Sequence, residues 1–121
     1  VNGDRTDPRY DVPTDAVDSR KMASAIAPNV IHSLDAAHIR MVALAASGEQ
    51  MHSLAMIHDS FGCHAADAGR FFNIIREQFV ALYSGDVAEM LNADLSGGSV
   101  ELPTMGNLDL EGIIDTDYSF A

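Results

Sequence analysis

An apolar run, Leu54-Ala55-Met56-Ile57, stops abruptly at His58-Asp59, and Gly62 follows within a turn's length. That break constrains the fold more than any other feature. Ser53 to His58 is long enough for a short buried strand but not for a helix, Asp59 to Gly62 reads as a turn, and Cys63-His64 as the start of a returning strand. A strand that delivers a carboxylate to its exposed end is a common way to hold a metal ion or an acid/base group.

Helical periodicity flanks the break. Pro28 suits a first helical turn, and Ile31, Leu34, Ala37/His38, Met41 and Leu44/Ala45 then recur at helical spacing up to a stop at Ser47-Gly48. Ala65 to Ser84 carries a second stripe, Phe71/Phe72, Ile75, Phe79 and Leu82/Tyr83, with Asp67 where its charge favours a helix N-terminus and Gly85 as a stop. A shorter helix over Val87–Leu95, a Ser96–Ser99 turn and a last short element over Leu108–Ile114 follow. Residues 1–20, with Asp7-Pro8 and Val12-Pro13, read as extended or loop structure, and residues 21–121 as one unit. The expected class is α+β and mainly helical, with two long helices flanking a β-hairpin that carries Asp59.

With 121 residues the chain can build one small core. No apolar run approaches the roughly 20 residues of a membrane span. Val1–Arg5 offers neither a basic start nor an apolar segment, so no secretory signal is expected there, and the absence of an initiator Met suggests a piece of a longer chain. Eighteen acidic against seven basic residues give a net charge of −11, which opposes nucleic-acid binding by bulk electrostatics. The lone Cys63 excludes an internal disulfide.

Asp59 is the principal chemical candidate, against the plainer reading of a turn Asp that caps neighbouring backbone. His58, Asp59, Cys63 and His64 also fall close enough together for a small non-catalytic module holding Zn²⁺, although the CxxC spacing typical of such sites is missing.

Several phrases in fixed order carry more information than any one of them. Ala27-Pro28-Asn29-Val30-Ile31-His32-Ser33-Leu34-Asp35-Ala36-Ala37-His38 is followed by Met56-Ile57-His58-Asp59-Ser60-Phe61-Gly62 and His64-Ala65-Ala66-Asp67. Pro103-Thr104-Met105-Gly106-Asn107-Leu108-Asp109-Leu110 and a terminal Asp117-Tyr118-Ser119-Phe120-Ala121 come after. From about Asp18 onward the set resembles the C-terminal palm portion of the phage-type, single-subunit DNA-directed RNA polymerases, and is similar to their mitochondrial relatives.

That resemblance implies nucleotidyl transfer from ribonucleoside triphosphates by a two-Mg²⁺ mechanism, with Asp59 as a metal ligand and His58 shaping the catalytic site. It implies that His32, with Asn29 and Ser33 beside it at the helix start, contacts the template–product hybrid, and that Phe120 and Ala121 form a terminal foot near the active site. Arg20 and Lys21, among the few basic residues, are the candidates to meet phosphate. The implied partners are DNA template, RNA product, ribonucleoside triphosphates and the remaining polymerase domains, with no membrane. The implied location is the cytoplasm of an infected host cell rather than a mitochondrion. Ser60 stands where related DNA polymerases often have Glu, and Leu34 where some members have Gln. Nothing in residues 1–24 resembles the family's first metal-binding Asp or its nucleotide-handling Lys and Tyr, so the chain alone is expected to be inactive.

Overall fold

The computed structural model describes Tyr10, Val12, Pro13 and residues 15–117. Along the chain come helix α1 (Ser19–Gly48), strands β1 (Leu54–Ile57) and β2 (Ser60–Cys63), a 3-10 turn (Ala65–Asp67), α2 (Ala68–Tyr83), α3 (Val87–Ser96) and a second 3-10 turn (Glu111–Asp115). The described residues are thus a small α+β unit of three helices and one two-stranded antiparallel hairpin.

Helix α1 starts well before Pro28, where the sequence had placed its first turn. Asp18 caps it, its side chain accepting from the Arg20 and Lys21 backbone N–H groups at 3.1 Å each, and Met22–Ala27 are largely good helix formers. Pro28 therefore sits inside the helix, where it removes one backbone hydrogen bond. The buried stripe is also rotated from the expected one. His38, Val42 and Ala46 are buried, whereas Ile31 and Leu44 stay exposed. The helix ends at Gly48 as expected, but the left-handed residue is Gln50, at φ 64°. The following Met51 donates its N–H to the Ala46 carbonyl at 3.0 Å and is buried.

The hairpin pairs Leu54 with Cys63, Ala55 with Gly62, Met56 with Phe61 and Ile57 with Ser60. Its loop is therefore the two residues His58-Asp59, with His58 at φ 53°. The expected turn over Asp59–Gly62 is corrected: Ser60–Gly62 are already strand, and Gly62 faces Ala55 across the ladder. The apolar run is not buried on both sides either. Leu54, Met56, Phe61 and Cys63 pack on the core, while Ala55 and Ile57 point out, because a strand sends alternate side chains to opposite faces.

The core is Val42 and Ala46 of α1, Met51, and Phe71, Ile74 and Ile75 of α2, with the inner face of the hairpin packed against them. Arg70 reinforces this pairing at the surface by holding Glu49 beyond α1 and Glu77 on α2. Its hydrogen bonds to Glu49 hold that carboxyl below its usual range, and the two acids together hold the guanidinium more firmly protonated. Asp86 caps α3 by accepting from the Glu89 N–H at 2.9 Å. Arg76, buried on α2, reaches the chain's last described turn. It donates to the carbonyls of Ile114 and Thr116 and lies 3.7 Å over the Phe72 ring.

Candidate metal and nucleic-acid site

Helix α1, the hairpin tip and α2 enclose a cleft of about 590 Å³. Successive turns of α1 supply His32, Asp35 and His38, which share a face because residues three and four apart are neighbours on a helix. The tip supplies His58 and Asp59, with Phe61 below them, and Phe79 and Tyr83 of α2 line the opposite side. Three residues singled out in the sequence, His32, His58 and Asp59, thus come together across 26 positions of chain.

Asp59 is exposed, and its carboxylate has no hydrogen bond or ion pair among the described residues. The alternative role, an Asp satisfied by capping its own turn, is not what the hairpin does with it. The carboxylate is free to ligate a hard cation. No group of three or more potential ligands converges among the described residues. A lone exposed carboxylate such as Asp59 could serve Mg²⁺, which keeps several waters and takes one or two carboxylates together with substrate phosphates.

The zinc arrangement fares worse. Cys63 pairs with Leu54 at the far end of the hairpin, about 10 Å from the tip at about 3.3 Å per residue. Its neighbour His64 spends its Nδ1 accepting the Ala66 backbone N–H at 3.3 Å, and both line a separate hollow beside His52. The hairpin register separates these side chains instead of gathering them.

Asn29 and Ser33 lie exposed on α1, flanking His32, and the Ser33 hydroxyl donates to the Asn29 carbonyl at 2.7 Å. Arg20 and Lys21 lie outside the cleft in the first turn of the helix. Lys21 is about 16 Å along the axis from His32, on nearly the same face because 11 residues make about three turns. Phe120 and Ala121, the expected foot, lie outside the described residues. Asp35, His38 and Tyr83 carried no functional role in the sequence, although His38 is a stripe position and Asp35 and His38 belong to the family phrase. The available signal was spacing from His32, at i+3 and i+6 on the same helix.

Residues 7–100 match the family model for DNA-dependent RNA polymerase, so the chain belongs to that family. Within it, the phage-type enzymes are its relatives. It is 39% identical over 115 residues to the DNA-directed RNA polymerase of Enterobacteria phage T3. It is 38% identical over 115 residues to the T7 RNA polymerase of Escherichia phage T7, and 38% identical over 112 residues to the mitochondrial DNA-directed RNA polymerase 1 of Arabidopsis thaliana. These alignments cover 87%, 87% and 88% of the chain but only 13%, 13% and 11% of the respective relatives. The chain corresponds to a fragment of them. Among the described residues no helix is long and apolar enough to cross a membrane.

Proposed function

We propose that this segment is the C-terminal palm portion of a DNA-directed RNA polymerase and contributes Asp59 as one carboxylate of a two-Mg²⁺ nucleotidyl-transfer site. The observation that carries the reading is the Asp59 carboxylate at the hairpin tip, without a partner among the described residues, in the cleft that it lines with His32 and His58. Bound Mg²⁺ would supply charge neutralisation at the triphosphate and activation of the attacking 3′-hydroxyl. Asp59 would hold its cation by charge, and His58, fixed in the same tight loop, would limit how far that carboxylate can swing. His32 would meet the sugar edge of the template–product hybrid, a contact that follows shape and is indifferent to sequence. Asn29 and Ser33 would brace it, and Arg20 and Lys21 would meet backbone phosphate further along the same helix.

The rest of such a site must come from outside the chain. One metal-binding carboxylate is half of a two-metal site, and a charge of −11 disfavours a polyanion. The fragment on its own is therefore inactive, its substrates being ribonucleoside triphosphates and its partners DNA template, RNA product and the remaining polymerase domains. The compartment follows the branch, host-cell cytoplasm for a phage chain and the organelle for a mitochondrial one.

The test is Asp59→Asn in a polymerase containing this segment. The amide keeps the shape and loses the charge, so synthesis should nearly vanish while template binding persists. His32→Ala should instead weaken retention of the hybrid with a smaller loss of rate. Near-normal incorporation by Asp59→Asn would remove the metal assignment.

A further inference from the structure

We propose that His38 is a positioning residue that sets the height and tilt of the hairpin tip, and so aims Asp59 at the cleft. The inference rests on reading Asp59 as a metal ligand. His38 is only 6% exposed. Its Nε2 lies 2.9 Å from the Ile75 carbonyl oxygen, and because a carbonyl can only accept, that nitrogen carries the proton and donates. The Ile75 carbonyl belongs to the hydrogen-bonded backbone of α2 and His38 to α1, so the bond fixes the imidazole ring against both helices.

That fixed ring is the seat of the hairpin. Phe61 meets it edge-on, at 5.7 Å between centroids and 68° between planes. Phe79 of α2 meets it from another side, at 5.6 Å and 83°. Phe61 also touches Phe71, at 6.3 Å. Phe61 follows Asp59 by two residues, so a small rotation at this seat is carried directly to the carboxylate. The hairpin needs such a seat. A lone two-stranded ribbon is marginally stable in water, and its outer-face residues Ala55, Ile57 and Ser60 are exposed. Its orientation therefore comes from its inner face, where Phe61 and Met56 are the pair nearest the tip.

The two halves of the contact can be separated. His38→Phe keeps a ring of similar size and removes the donor, leaving the Ile75 carbonyl with its ordinary helical partner, so the fold should survive. Phe61→Leu keeps an apolar anchor and removes the ring that meets His38. In the isotope-labelled 121-residue chain, both variants should speed amide exchange over Met56–Cys63 by about tenfold relative to α2. Mn²⁺, used as a paramagnetic probe, should broaden the amides of Asp59 and of the facing α1 residues His32 and Asp35 in the parent. In the variants broadening should persist at Asp59 and fade at His32 and Asp35.

In a polymerase containing the segment, each variant should lower kcat by up to about 100-fold, the scale of a roughly 1 Å misplacement, with KM for nucleotide little changed. The double variant should be little worse than the poorer single one, because the Ile75–His38 bond and the His38–Phe61 contact are successive links of one seat and losing either frees the hairpin. Additive losses, or unchanged exchange over the hairpin, would overturn the proposal. Intact synthesis by Asp59→Asn would instead sink the metal reading, a failure distinct from either.

Discussion

Arg76 offers the sharpest test of what closes the C-terminal part of the molecule onto α2. It is 5% exposed, donates to the Ile114 carbonyl at 2.9 Å and to that of Thr116, and lies over Phe72. Each hydrogen bond from a charged group contributes about 1.5–3 kcal/mol, and a partly desolvated cation–π contact about 0.5–2. Against these stands the desolvation of the guanidinium, several kcal/mol, and its Nε, which is buried without a partner among the described residues. The opposing terms are of similar size, so the charge itself adds little net stability and the buried volume decides. Arg76→Met, which keeps the stem and drops the charge, should cost about 0–2 kcal/mol, since the freed carbonyls sit on partly exposed chain and can take water. Arg76→Ala adds a cavity and should cost about 3–5 kcal/mol. For a domain of this size about 1 kcal/mol moves Tm by about 3–5 °C. Thermal unfolding followed by far-ultraviolet circular dichroism should therefore rank the parent, Met and Ala variants in that order. Arg76→Lys should fall between, because a point charge cannot serve both carbonyls as a planar fork does. Equal losses in Met and Ala, with Lys at parent stability, would show that the charge and not the packing holds this contact.

The 121-residue chain incubated with primed template, ribonucleotides and Mg²⁺ should give no extension, and product that disappears with Asp59→Asn would contradict this. Isothermal titration with Zn²⁺ should show no tight stoichiometric binding, since Cys63 and His64 are separated from the hairpin tip; a tight Zn²⁺ complex sensitive to Cys63→Ser would refute that geometry. Gly62 lies in a strand, and a Cβ there would meet Ala55 at ordinary contact distances of 3.5 and 3.6 Å. Gly62→Ala should accordingly cost under about 1 kcal/mol, whereas a turn glycine with positive φ would cost more. The Glu49 carboxyl is held below its usual value by Arg70, so its contribution is present above the unfolded value and is lost as pH falls through the folded one. The Tm difference between the parent and Arg70→Met should shrink from about pH 6 to about pH 3; a constant difference would show that the ion pair is not its source.

Local sequence determined the elements. The apolar run broken at His58-Asp59 required a short strand with a carboxylate at its end, and the aromatic stripe of Phe71, Ile75 and Phe79 required an amphipathic helix beside it. Both depend on neighbours a few residues away, which is where periodicity carries information. The ordered phrases around His32 and Asp59 likewise identified the family, because their order survives in the chain whatever its packing.

Tertiary structure decided register, depth and company. Nothing local distinguishes a turn at Asp59–Gly62 from one at His58-Asp59, a shift that moves the whole ladder; the inner pair Met56 and Phe61 packing on α1 and α2 selects the second. Nor could spacing say which α1 stripe is buried. His38, Val42 and Ala46 were chosen over Ile31 and Leu44 by where α2 lies, since a broadly apolar helix has several faces it could bury. His38 shows the limit most clearly. As a sequence it is one polar residue on an otherwise apolar stripe, and only the Ile75 carbonyl, 37 residues away, and the edges of Phe61 and Phe79 make it a fixed point beneath Asp59. Contacts between residues so far apart are set by how elements pack, and no pattern within one element can encode them.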